Sequence, residues 1–225
     1  MQRYAVAHPA AKRRHIRIMS LKIPVAHDFI CPWCWVGIVQ AKQLTTEFGV
    51  EFDWLGYELF PLELEWPDWP SSPPPPENKA LTPTRFEFIL LADDMEMPTA
   101  ERPRKMRTYN SHEAVEFAKT EGSANQLVEA LYDAYWLRGE NINEIDVLKT
   151  IAKGIVWNLD DMAKAIEEKR FKDKIIGFDD PAYESGVYNV PTFFIGGKKY
   201  AEQPLSVLRK AVRNAREEAA LATAN

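Results

Sequence analysis

The chain has 225 residues, a formal net charge of −5, 46% hydrophobic residues and two cysteines. That length suits one globular unit, or one domain carrying a large insertion. The acidic balance argues against a nucleic-acid surface, and no apolar run approaches the roughly 18 residues of a membrane span. The first stretch, 1–18, holds Arg3, Lys12, Arg13, Arg14 and Arg17 with no acidic residue. Its apolar runs are too short for a signal-peptide core, although its make-up is also that of an organelle transit peptide. We read it as a disordered extension of a cytoplasmic protein, with Met19 as an alternative start.

Ile23 to Ile30 reads as a short strand, and the run from Trp35 through Ile38 and Val39 to Phe48 as a helix. Glu51 to Leu59 alternates as a second strand, ending at Phe60-Pro61. Composition then changes: the proline-rich stretch 66–76 predicts a stiff, extended connection, with Trp66 and Trp69 suited to a lid. A helical centre follows. Segments are predicted from Thr84 to Met95, then from Asn110-Ser111 to Lys119 with Glu113 closing a capping box, and from Ser123 to Gly139. Asn143 to Lys153, Leu159 to Lys172 and a short Asp180 to Ser185 helix complete it. His112 is read as a surface or packing histidine. Thr192 to Ile195, Gly196-Gly197 and Lys198 to Ala201 predict a hairpin. Pro204 opens a final amphipathic helix with Leu205, Leu208, Val212 and Ala215 on one face. This order predicts a small mixed α/β sheet with helices on both faces. It divides into a discontinuous domain, 19–61 with 175–225, and an inserted helical domain, 62–174.

Cys31-Pro32-Trp33-Cys34 lies where the first strand delivers the chain into a helix N-terminus. Unpaired backbone N–H groups and the helix dipole favour an anion there, so Cys31 is the expected nucleophile, and such positions can lower a thiol pKa to roughly 3.5–7.5. Cys34 lies one turn further along and can resolve a mixed disulfide. Pro32 suits the first turn, where its missing N–H costs nothing. Two other readings compete. A zinc site needs about four ligands, and none of His8, His15, His27 and His112 has the spacing to complete one; no metal is expected. Inert buried thiols are the other. Val190-Pro191-Thr192 precedes the hairpin, and a cis bond there would turn the Val190 backbone toward an extended substrate in the manner of strand addition.

Asp28 to Gly37, Gly186 to Phe193 and Leu131-Tyr132-Asp133-Ala134-Tyr135-Trp136 together resemble the DsbA-like thioredoxin-fold family in its FrnE-type branch. That branch is also similar to the 2-hydroxychromene-2-carboxylate isomerases and kappa-class glutathione transferases. The resemblance runs from about Met19 to Arg213. It implies a thioredoxin fold with a large all-helical insertion between the N-terminal strand-helix-strand unit and the C-terminal hairpin-helix unit. It further implies Cys31 as nucleophile, Cys34 as resolving thiol, a cis Pro191, and substrate contacts at Trp33 and Val190. The implied function is thiol–disulfide exchange with disulfide-containing proteins or small thiols, with no bound cofactor, glutathione as a candidate co-substrate and a second copy of the chain as a candidate partner. The alternative is a glutathione-dependent isomerase or transferase acting on a small aromatic compound. A third, non-enzymatic reading is a chaperone or partner-binding module. Three departures bear on these: Trp33 stands where periplasmic relatives carry histidine, Asn189 where the branch has glycine, and Cys31 where the isomerase relatives use serine.

Overall fold

The computed structural model describes residues 21–66, 83–178 and 180–222. The extension 1–18 and nearly all of the proline-rich stretch, including Trp69, lie outside the described residues. In chain order the elements are β1 (Lys22–His27), α1 (Pro32–Phe48), β2 (Glu51–Glu58), α2 (Arg85–Ala92), α3 (Tyr109–Glu121), α4 (Ala124–Arg138), α5 (Ile145–Ala152), α6 (Leu159–Glu167), β3 (Ile176–Gly177), α7 (Asp180–Glu184), β4 (Thr192–Ile195), β5 (Lys198–Ala201) and α8 (Leu205–Ala222). The strands form one five-stranded sheet ordered β3-β2-β1-β4-β5.

Register explains why residues remote in sequence meet. β1 runs parallel to β2, pairing His27 with Gly56, so the chain leaving β1 lies beside the chain leaving β2. β1 runs antiparallel to β4, pairing Ala26 with Thr192, so the end of β1 lies beside the start of β4. The β4–β5 hairpin turns on Gly196 and Gly197, both in the left-handed region that the tight reversal requires. α3 and α4 pack on β2, α8 packs on β4, and α1 touches both α4 and α8. The core is continuous through sheet and helices, from Ile23, Val25 and Phe29 to Leu127, Leu131 and Tyr132.

Three features differ from the sequence expectations. The two-residue β3 was not foreseen. It is an edge pairing to Tyr57 and Glu58 whose residues carry too little alternation to read as a strand. The capping box at Asn110 does not form: the helix begins at Tyr109, because tertiary acceptors satisfy its first N–H groups. Glu58 Oε1 accepts from the Thr108 and Tyr109 amides, each at 3.1 Å, and Asn143 Oδ1 accepts from Asn110 at 3.1 Å. Glu113 instead accepts from the Tyr109 hydroxyl at 2.9 Å and from the Phe171 amide at 3.0 Å. A true capping box appears at α2, between Thr84 and Glu87. The helix expected from Leu159 to Lys172 also ends earlier, since α6 stops at Glu167 and Lys172–Lys174 form a single 3-10 turn.

At Gly56 the helical block comes close to the sheet. A Cβ there would lie 2.9 Å from the Cγ and Nδ1 of His112. We expect Gly56→Ala to cost about 1–3 kcal/mol through overpacking, read as a lower urea midpoint; an unchanged midpoint would show that His112 has room to move.

Candidate active site

Cys31 is the N-cap of α1, with Pro32 at its first turn. The Cys34 and Trp35 amides donate to the Cys31 carbonyl at 3.0 and 3.1 Å. The helix therefore starts at the first cysteine and carries the second one turn inside. The Cys31 thiol makes no capping bond to the helix; it donates instead to the Val190 carbonyl at 3.4 Å. The Val190–Pro191 peptide is cis. The antiparallel register of β1 and β4 puts this pair beside the dithiol. Gly37 makes the close approach sterically feasible, since a Cβ on it would lie 2.9 Å from Pro191 Cγ. A mid-helix glycine costs about 1 kcal/mol relative to alanine, and here that loss makes room for the proline ring.

The two thiols differ in environment. Cys31 is 6% exposed, Cys34 1%. Both are free thiols. Burial first, and then the neighbouring Cys31, push the Cys34 thiol well above its ordinary range; the Asp28 amide, donating to its Sγ at 3.5 Å, pulls the other way. Trp33, half-buried, packs edge-on against Phe86 of α2 at 4.7 Å between ring centroids. Trp66, the described end of the proline-rich connection, stacks on Phe60 at 4.8 Å and lies under the Arg107 guanidinium.

The sequence-named residues Cys31, Cys34, Trp33, Val190 and Pro191 thus lie around one helix start. Sequence reasoning missed what lies behind them. Asp28, at the start of the turn, accepts from the Leu59 amide through Oδ2 at 2.7 Å and faces His112 Nε2 across 3.6 Å through Oδ1. His27 Nδ1 meets the Tyr132 hydroxyl at 3.0 Å. That hydroxyl also donates to the Asp28 carbonyl at 3.3 Å, and the Trp136 indole donates to the Phe29 carbonyl at 2.7 Å. His27, Asp28, His112 and Tyr132 are all buried. His112 is therefore no surface residue: its ring lies 5.1 Å from Phe29 and 5.2 Å from His27. A legible signal did exist, because Tyr132 and Trp136 are four apart on an otherwise apolar helix face, two polar-tipped aromatics aimed in one direction. Among the described residues, no three His, Cys, Asp or Glu side chains are placed to hold a metal ion.

Burial holds the His27 pKa well below its ordinary value, with His112 and Lys119 adding to the shift. The unfolded chain therefore binds a proton that the folded chain refuses. His27's contribution to stability is complete above about pH 6.5 and is lost as pH falls below it. We expect urea midpoints to drop on acidification below that value, and to drop less steeply in His27→Gln; identical slopes in the two proteins would contradict this.

With this geometry in place, the comparisons with known proteins acquire meaning. The model of the DSBA-like thioredoxin domain matches residues 22–213. A solved probable DsbA oxidoreductase, SCO1869 from Streptomyces coelicolor, is 18% identical with a TM-score of 0.62, covering 88% of this chain and 91% of that one. The cytosolic disulfide reductase DsbM from Pseudomonas aeruginosa is 14% identical with a TM-score of 0.59, covering 90% of this chain and 98% of that one. A 2-hydroxychromene-2-carboxylate isomerase is also 14% identical, with a TM-score of 0.60 over 89% of this chain and 99% of that one. At these identities the structural likenesses establish the thioredoxin fold. The family match, which spans most of the chain, includes the helix start that carries both cysteines, and so the protein belongs to the DsbA-like thioredoxin domain family.

Proposed function

We propose that the protein is a thiol–disulfide oxidoreductase. The observation that carries this reading is the asymmetric dithiol, with Cys31 at the helix N-cap against the Val190 carbonyl and Cys34 sealed one turn inside. In the forward direction the Cys31 thiolate attacks a substrate disulfide and forms a mixed disulfide. Cys34 then attacks Cys31 Sγ, and the substrate leaves as a thiol. The Val190 backbone beside Pro191 lies against Cys31, where an extended chain entering the site would align with it. Trp33, next to the dithiol in the chain, packs against Phe86 and would offer an apolar surface to substrate. Disulfide-bearing proteins and small disulfides are the substrates of this reading. DsbM, a cytosolic disulfide reductase that has also been solved with glutathione, supports glutathione as the small-thiol partner and a cytoplasmic setting. No described helix is long and apolar enough to cross a membrane.

The isomerase among the structural neighbours favours a second reading, glutathione-dependent turnover of a small aromatic compound. It predicts turnover that survives Cys34→Ser, since only one sulfur would then be needed.

The two readings separate in a trapping experiment. Cys34→Ser, incubated with a disulfide-linked peptide, should accumulate a covalent mixed disulfide at Cys31, whereas wild type passes through it without accumulation. Cys31→Ser should lose exchange activity by at least about a hundredfold, since the attacking thiolate itself is gone. Full exchange activity in Cys31→Ser, or no trapped adduct in Cys34→Ser, would contradict the dithiol assignment.

A further inference from the structure

Arg107 is fixed in place with part of its charge unanswered. It donates from Nη1 to the Phe60 and Pro61 carbonyls and from Nη2 to the Leu64 carbonyl at 3.0 Å, and it lies over the Trp66 ring at 5.0 Å. A guanidinium has five N–H donors in a rigid fork. These three bonds leave the Nε proton and one Nη2 proton without an acceptor among the described residues. Nε and Nη2 share one edge of the guanidinium, and such an edge grips both oxygens of a carboxylate. The side chain is thus pre-organised for an anion, and no carboxylate of the described residues supplies it.

Arg107 lines a cleft of about 530 Å³ together with Lys169, Tyr109, Glu58 and Gly177, a size within the roughly 300–1,000 Å³ of small-molecule sites. Lys169 is a second cation there. It lies over the Tyr109 ring at 5.5 Å and has no carboxylate partner among the described residues. Two carboxylates share the wall without cancelling this charge. Glu58 is bound through Oε1 by the Thr108 and Tyr109 amides, and Glu63 is exposed, where water and salt screen it. The place of the cleft ties it to the dithiol. β1, β2 and β3 are mutually parallel, and in open α/β sheets ligands bind beyond the carboxyl ends of such strands. Glu58 and Gly177 end β2 and β3. At the same end β1 releases the chain into the turn that leads to Cys31, where the Leu59 amide holds the Asp28 carboxylate at 2.7 Å. Neighbouring strands lie about 5 Å apart, so the cleft is one to two strand spacings, roughly 5–10 Å, from that turn.

We propose that this cleft receives a carboxylate of a small disulfide substrate, gripped by the free edge of Arg107 with Lys169 adding charge. The proposal rests on the dithiol reading above and narrows its small substrates to disulfides that carry carboxylates. A three-residue thiol spans about 10 Å when extended, so a substrate of that size can set its sulfur at Cys31 while its carboxylate lies in the cleft. The chemistry is unchanged: Cys31 and Cys34 give up two electrons and two protons as they join, and the substrate disulfide takes them up and leaves as two thiols.

The test uses the full chain, reduced beforehand, and two disulfides. Glutathione disulfide carries carboxylates and bis(2-hydroxyethyl) disulfide carries none; acid quenching and intact mass follow the loss of two hydrogen atoms from the protein. The quantity read is the ratio of the two oxidation rates, glutathione disulfide over hydroxyethyl disulfide. We expect Arg107→Gln to lower this ratio by at least about tenfold, as loss of a charge-assisted pair does. Lys169→Gln should lower it in the same direction, and added salt should move the wild-type ratio toward those of the variants. Lys169, an exposed side chain, carries the test if Arg107→Gln does not fold. A wild-type ratio in both variants would overturn the proposal, and so would a uniform slowing with both disulfides, which marks a merely structural role. Failure of either disulfide to oxidise the wild type is a different result. It would sink the dithiol reading, and the proposal with it.

Discussion

The turn from Asp28 to Cys31 is buried, and a buried backbone has to find partners for its polar groups. Its backbone carbonyls find them in α4, and its side chains are held by two further parts of the chain. α4 supplies Tyr132 to the Asp28 carbonyl and Trp136 to the Phe29 carbonyl. The chain after β2 supplies the Leu59 amide to the Asp28 carboxylate. The segment before β4 supplies the Val190 carbonyl to the Cys31 thiol. α4 thus clamps the turn that leads into the two cysteines, and α4 and the segment before β4, each more than a hundred residues away in sequence, help fix its position.

That clamp also creates the inequality between the two sulfurs. Closing α4 over the turn excludes water from Cys34, while Cys31 stays at the helix edge against the Val190 carbonyl. In the proposed exchange reaction, the Cys31 sulfur would meet substrate and the Cys34 sulfur would be held in reserve. The same closure gathers His27, Asp28, His112 and Tyr132 into a sealed pocket, where each polar atom either finds a partner or remains exceptionally costly to keep. Gly37 and Gly56 are the permissive positions of this packing. One admits the Pro191 ring to α1, and the other admits the His112 ring to β2.

Much of this was legible in the chain. The strand before the cysteines, the helix after them, the glycine-turned hairpin and the C-terminal helix all carry strong local signals, and the structure forms each of them. The dithiol and Val190-Pro191 could be named because their residue types are rare and their flanks are patterned. The polar pocket could not, because a histidine on a helix looks the same in sequence whether it faces water or a buried carboxylate. His112 therefore reads as surface or packing, and Tyr132 enters only as part of the stretch that carries the family resemblance. The start of α3 was misplaced for a related reason: its cap is the Glu58 carboxylate from a strand, which no local pattern announces. Long-range partners, rather than weak propensities, account for these misses.

In the proposed function Cys31 and Cys34 act as one redox unit. Intact mass across a series of reduced and oxidised glutathione buffers tests it most directly. If they act together, a single smooth transition with the loss of two hydrogen atoms is expected, marking a Cys31–Cys34 disulfide and giving its potential. A persistent single glutathione adduct would contradict it, because Cys34 would then have failed to resolve the bond formed at Cys31.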